Sequence, residues 1–383
     1  MLFFAGLVIL AVSNDEVLQM VKRTGWGDSA VRWTSDQSHY DAPCLYQGNC
    51  SGHGENVMGT CFCAPGYTGT HCKRPPKVPI HCTHKDDRCF YSAKTGVMAV
   101  SPSRWKYAQS AEAGLWRSGR RLSASSARSN RRRPGWPRER CGVSASSHGR
   151  LGPGDRTNEH LIDFEEYRSV GPSGTNLGTL LEVGTGPWTQ SIAMMEARGF
   201  VADTYIMLDP NALNYARDVG SAAFKTGEVT VGHGAMARTY RPIVIGAGAE
   251  ALAVFRGTID TVMMVNVLEH VMNAPQVLRN LFNVLKPGGM LIFNDRWWDT
   301  GMPGTKLPLL SMDVLYHPIR MKRVVFNRFL KGFTRIYERR DSDSHAFRCD
   351  GRNFNGTYFI GRKNACGDGG VGGEGGGTGQ GGA

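Results

Sequence analysis

The stretch Leu180–Ser191, LLEVGTGPWTQS, decides the fold. An apolar run of strand length ends in a glycine-rich turn, and a helix-forming segment from Pro187 to Arg198 follows, which Gly199 can stop. Gly184 and Gly186 stand where a nucleotide-binding turn needs residues without a Cβ. Pro187 and Trp188 stand where a third glycine would come. A pyrophosphate needs free backbone N–H groups at the helix start and a small residue for close helix–strand packing. Pro187 has no N–H to give, and Trp188 is bulky. The turn therefore disfavours a dinucleotide and leaves room for a ligand without phosphate.

The same alternation continues on both sides. TYIMLD reads as a second strand ending at Asp209, and NALNYARDVG as a helix capped by Asn211. IDTVMMVNV is a third buried strand. Val277, Leu278, Leu281, Phe282 and Leu285 then recur at helical spacing, and Pro287-Gly288-Gly289 ends the helix before the strand MLIFND. Strands alternating with helices of this length predict an α/β domain, a doubly wound Rossmann-like, mostly parallel sheet with helices on both faces, over residues 158–366. Ligands of such sheets sit beyond the C-terminal strand ends.

The domain resembles class I S-adenosylmethionine-dependent methyltransferases of the type 11 kind. LLEVGTG is similar to the first motif of that family and IMLDP to the second, while GAEAL is similar to the segment beside the adenine. GTIDTVMMVNVLEHV, opened by Asp260, resembles the fourth strand and its exit, and VLKPGGMLIF the entry to the fifth. The resemblance implies S-adenosyl-L-methionine as cofactor. It implies a donor site of Glu182, Gly184, Thr185, Gly186, Asp209, Pro210, Ala249, Glu250 and Asn266, with Asp209 on the ribose hydroxyls.

Methyl transfer to a hydroxyl benefits from a base. His270, just past the fourth strand with Glu269, Asp295 after the fifth, and His317 in YHPIRMKR are the candidates. Asp295 and Asp299 offer two acids and no third, so no metal site is expected.

The N-terminal part has another character. MLFFAGLVILAVS (residues 1–13) is an apolar run closed by small residues, read as a signal peptide or short signal anchor. An ordinary buried segment is its plain alternative. Within residues 41–73, five cysteines fall between Cys44 and Cys72, the density of a small disulfide-stapled module. CFCAPGYTGTHC resembles the C-terminal half of an EGF-like module, with Asn56 where the missing cysteine would stand. That resemblance implies Cys50–Cys61 and Cys63–Cys72 pairs and leaves Cys44 for Cys82 or Cys89. Residues 14–40 and 74–100 carry no clear pattern.

The net charge of +12 is local: residues 101–150 hold twelve Lys/Arg against Glu112 and Glu139. Rich in Ser, Arg, Gly and Pro, residues 101–157 read as a disordered linker, and residues 367–383 as a glycine-rich flexible tail. With the folded parts near neutrality, nucleic acid is not the expected partner. A signal, a disulfide module and a donor-binding domain together predict a methyltransferase of the secretory pathway, Golgi-lumenal or extracellular. Its acceptor would be a glycan or glycoprotein, and only an N-terminal anchor would touch a membrane. The rival readings are a cytosolic small-molecule or protein methyltransferase, and a non-catalytic EGF-containing binding protein whose pocket Trp188 blocks.

Overall fold

A computed structural model describes residues 9–10, 54–57, 60–63, 71, 73–74, 91–92, 95–126, 157–215, 227–232, 237–298, 316–341 and 356–364. Its centre is a sheet built from β1 (Thr179–Val183), β2 (Thr204–Leu208), β3 (Ile243–Ile245), β4 (Ile259–Val265), β5 (Leu285–Arg296), β6 (Phe333–Asp341) and β7 (Gly356–Lys363). These strands lie in the order β3-β2-β1-β4-β5-β7-β6. β1 to β5 run parallel, and β7 inserts antiparallel between β5 and β6. The order reverses between β1 and β4, which opens a crevice at their C-terminal ends.

The parallel strands are near-continuous apolar runs because both faces are covered. Leu181, Val183, Val262 and Met264 face one core, and Leu180, Met207, Met263 and Ile292 the other. Helix α4 (Ala274–Val284) forms where the apolar residues recur at 3.6 spacing. The Asn273 side chain caps it by accepting from Gln276 N at 3.2 Å, and Pro275 occupies its first turn. Its buried residues include Val277, Leu278, Leu281 and Phe282, as the spacing required. Each such side chain contributes roughly 1.5–3 kcal/mol through its burial. Helix α2 (Thr157–Asp163) precedes β1, and helix α3 (Gln190–Arg198) ends at Gly199 in the left-handed conformation, φ 64°. It begins later than the sequence led us to expect, since Pro187 and Trp188 stay in the loop.

The segment 101–126 corrects the sequence reading. Instead of the start of a disordered linker, it is helix α1, Pro102–Ser126. Ser101 Oγ accepts from Arg104 N at 3.2 Å, and Pro102 occupies the first helical position. Before it, Gly96–Val97 pairs antiparallel with Tyr91–Ser92 and with Arg320–Met321. Residues 127–156 and the tail 367–383 lie outside the described residues.

Two more features bear on the N-terminal readings. Ile9–Leu10, inside the apolar run of residues 1–13, pairs parallel with β3 at the sheet edge. In the cysteine-rich segment, Gly54–Val57 and Thr60–Cys63 form an antiparallel hairpin that sets Asn56 opposite Cys61. Cys44, Cys50, Cys72, Cys82 and Cys89, and hence the implied pairings, lie outside the described residues. Among those residues, no helix is long and apolar enough to cross a membrane.

Candidate active site

A cavity of about 400 Å³ lies over the C-terminal ends of the parallel strands. This is within the usual range for a small-molecule site. Of the twelve residues singled out from sequence, ten line it: Gly184, Thr185, Gly186, Asp209, Pro210, Ala249, Glu250, Asn266, His270 and His317. Glu182 and Asp295 do not.

Glu182 faces inward. Its carboxylate accepts from Gln190 N at 2.7 Å, from Tyr205 Oη at 3.0 Å, and from Ser191 Oγ. It holds the first turn of α3 to β1 and is no donor ligand. Burial lifts its carboxyl to about 7 against those bonds. Asp295 is fully buried. Its Oδ2 accepts from Val267 N at 3.0 Å and Leu268 N at 2.5 Å, and its Oδ1 from Arg296 N at 2.9 Å. It positions the loop after β4 and is not a base that could reach an acceptor. Burial, aided by the Glu269 charge, lifts it to about 7.

The two glycines serve different ends. Both have positive φ, 67° at Gly184 and 61° at Gly186. A Cβ on Gly184 would meet Val267 at 2.4 Å, so its bareness lets two loops touch. A Cβ on Gly186 would meet nothing within 4 Å, so this turn is open on that side. Gly186 N donates to Asp209 Oδ2 at 2.9 Å, and Asn211 N donates to Oδ1 at 2.7 Å. Burial lifts the Asp209 carboxyl to about 7.

Asn211 does not cap the following helix as expected. Its Nδ2 donates to Gln109 Oε1 of α1 at 2.9 Å. Glu250 Oε1 accepts from Met272 N at 2.7 Å and Asn273 N at 2.9 Å, tying the segment after β3 to the start of α4. Asn266, φ 58°, makes the left-handed turn that leads from β4 into the Leu268–His270 turn.

Helix α1 supplies one wall of the cavity with Trp105, Gln109 and Glu112. Trp105 Nε1 and Gln109 Nε2 both donate to His270 O, at 3.0 and 2.9 Å. Glu112 lies 3.2 Å from His270 Nδ1, an ion pair whose N–H direction is poorly aligned. Burial opposes charge on His270, but Glu112, with Glu269 and Asp295, outweighs it and lifts the imidazole to about 9. The charged form of His270 is thereby favoured, which weakens it as a base.

Glu269, buried beneath it, is opposed by desolvation but held below the usual carboxylate range by His317, Arg296 and His270. It ion-pairs with Arg296. His317 reaches it because Ile319 N donates to Glu269 O at 3.2 Å, while Trp298 N donates to Met321 O at 2.8 Å.

Thr185 Oγ1 is buried at the cavity wall with no protein partner, a group that a polar ligand would complete. With the Asp209 carboxylate, the open face of Gly186 and the cavity volume, it fits a nucleoside-bearing donor without phosphate.

Residues 155–322 match the family model described as a methyltransferase domain. S-adenosylmethionine is the cofactor of this domain. Residues 47–75 match a second model, a Teneurin-like EGF domain. No curated protein matches the chain. Solved structures similar to it include the N-methyltransferase NodS of Bradyrhizobium japonicum WM9 with S-adenosyl-L-homocysteine, at 14% identity and TM-score 0.36 over 55% of this chain and 89% of that one. Another is a phosphoethanolamine N-methyltransferase of Haemonchus contortus, at 14% identity and TM-score 0.37 over 54% and 52%. The PH0226 protein of Pyrococcus horikoshii OT3 is a third, at 16% and 0.35 over 55% and 93%. The family match places the methyltransferase domain over residues 155–322.

Trp105, Gln109, Glu112, Arg296 and Tyr316 also line the cavity, though no sequence motif marks them. For α1 the available signal was Ser101-Pro102, a cap followed by proline, with Trp105, Gln109 and Glu112 at spacings of four and three.

Proposed function

We propose that the protein transfers the methyl group of S-adenosylmethionine to a hydroxyl of a glycan or glycoprotein in the secretory pathway. The observation that carries the methyl-transfer reading is the cavity itself. One wall gathers Gly186, Asp209 and Asn266 at the ends of β1, β2 and β4, and the other presents Glu269, His270 and His317. S-adenosylmethionine supplies an activated methyl group. The residues of the chain bind it, orient the acceptor and exclude water, which is most of what such a displacement requires.

The secretory setting is supported by the EGF match at 47–75, by the leader-like residues 1–13 and by the sequons Asn49-Cys50-Ser51 and Asn355-Gly356-Thr357. One observation favours the cytosolic alternative: cleavage after Ser13 would remove the Ile9–Leu10 pair from the edge of β3. A non-catalytic binding protein would need Trp188 to close the pocket, whereas Trp188 lies in the wall of a cavity that remains open.

The test is calorimetric titration of S-adenosylhomocysteine into the full chain and into Asp209→Ala, followed by an acceptor screen with glycans. Micromolar binding weakened by the substitution supports the reading; a folded chain that does not bind ends it. N-terminal sequencing and disulfide mapping of the protein recovered from a eukaryotic host separate the lumenal and cytosolic settings.

A further inference from the structure

The corner of the cavity beyond β4 and β5 gathers side chains able to hold an acceptor hydroxyl and help it lose its proton. We propose that Glu269, His270 and His317 bind a divalent first-row transition ion that anchors and acidifies the acceptor hydroxyl. One ligand atom from each of the three lies within 4.8 Å of those of the other two. Glu269 Oε1 is 3.8 Å from His270 Nε2 and 3.4 Å from His317 Nε2. The two imidazole rings meet edge to face, with centroids 4.7 Å apart. Two histidines and one carboxylate are a donor set used for zinc and for open non-haem iron sites, and it leaves coordination positions for substrate.

The surroundings are arranged as outer partners of such a site. The far nitrogen of His270, Nδ1, faces Glu112 at 3.2 Å, which leaves Nε2 toward the cluster. The far oxygen of Glu269, Oε2, is held by Arg296 Nε. Carboxylates behind ligating histidines fix ring orientation and raise ligand basicity. Arg296 Nη2 also lies 2.6 Å from His317 Nδ1. That contact leaves His317 Nε2 facing Glu269. A divalent ion takes the place of the protons between these rings and the carboxylate, so its binding releases protons. The cluster stands at the ends of β4 and β5, whereas Asp209 stands at the end of β2, on the far side of β1. Donor and acceptor are thereby drawn to opposite ends of one cavity.

The metal half of this inference stands on the cluster alone; the substrate half rests on the methyl-transfer reading. In that reading the acceptor oxygen coordinates the ion, which lowers the pKa of its O–H. The O–H proton leaves to solvent, the oxygen lone pair forms the bond to the methyl carbon, and the C–S pair stays on sulfur. The products are the methyl ether, S-adenosylhomocysteine and one proton.

The test uses the full chain, stripped with chelator. CoCl2 is titrated and followed by visible absorption, and ZnCl2 by calorimetry; S-adenosylhomocysteine binding is measured on the same samples. We expect one ion per chain, an affinity lowered roughly tenfold or more in His317→Ala and in Glu269→Gln, and a smaller loss in Glu112→Gln. His317 is more exposed than Glu269, so His317→Ala tests the site even where Glu269→Gln fails to fold. Absence of a cobalt spectrum in a folded chain overturns the proposal. So does binding unchanged in His317→Ala, which would mark an adventitious ion only. Metal binding without S-adenosylhomocysteine binding would instead sink the methyltransferase reading and leave the metal site standing.

Discussion

Glu112 of helix α1 lies 3.2 Å from Nδ1 of His270, joining a helix outside the sheet to the loop that follows β4. The pair lifts His270 from 6.5 to about 9 against the pull of burial. A pKa raised on folding adds stability that is complete below the unfolded value and is lost as pH rises through the folded one. In chelator-treated protein the melting temperature should therefore fall as pH rises from 6.5 through about 9. His270→Asn should flatten that slope, and Glu112→Gln should move it to lower pH. Histidine titration by NMR checks the value directly, and a His270 that titrates near 6.5 would sink the assignment.

Asp209 predicts how donor binding depends on pH. Its carboxyl is lifted to about 7, chiefly by burial, and ribose hydroxyls donate best to the ionised form. Affinity for S-adenosylhomocysteine should rise as pH increases through about 7, with proton release on binding. Asp209→Asn should lose the pH dependence and weaken binding roughly tenfold to a hundredfold, the worth of about 1.5–3 kcal/mol for a hydrogen bond to a charged group. Calorimetry in buffers of different ionisation enthalpy reads both quantities.

Gly184 should tolerate no side chain. A Cβ there meets Val267 at 2.4 Å, on a backbone with φ 67°. Gly184→Ala should destabilise the domain by about 1–3 kcal/mol through clash and left-handed strain. Adding Val267→Ala should recover the clash and not the strain, so partial recovery in chemical denaturation is the expected outcome. Full additivity of the two losses would contradict the contact.

Helix α1 can be told from a disordered linker by hydrogen exchange. Amides of residues 105–113 should exchange slowly in the full chain. Gln109→Ala, which removes bonds to His270 O and Asn211 Nδ2, should cost about 1 kcal/mol and speed that exchange. Exchange at unprotected rates throughout the segment would restore the linker reading.

Trp188 offers a simpler check. It lines the cavity rather than filling it, so Trp188→Ala should change S-adenosylhomocysteine affinity by no more than about tenfold, the scale of one aromatic contact. A large gain in affinity would mean that the indole obstructs the pocket after all.

The sequence by itself determined the doubly wound sheet, the apolar face of α4, the stop of α3 at Gly199, and ten residues of the cavity lining. These are local matters. Apolar runs, 3.6 spacing and turn residues act within a few positions of one another, and the ends of successive parallel strands must share one edge. Only tertiary structure decided where side chains point and what they meet. Glu182 and Asp295 sit at strand ends like ligands, yet buried backbone N–H groups claim their carboxylates, because an unsatisfied buried donor is costly. Helix α1 escaped notice because its face toward the domain includes Gln109 and Glu112, polar residues that suit a cavity and erase the apolar periodicity. Glu112 and His317 meet the Glu269–His270 turn from far along the chain, and the folding of α1 and of residues 316–321 onto that turn assembles the cluster.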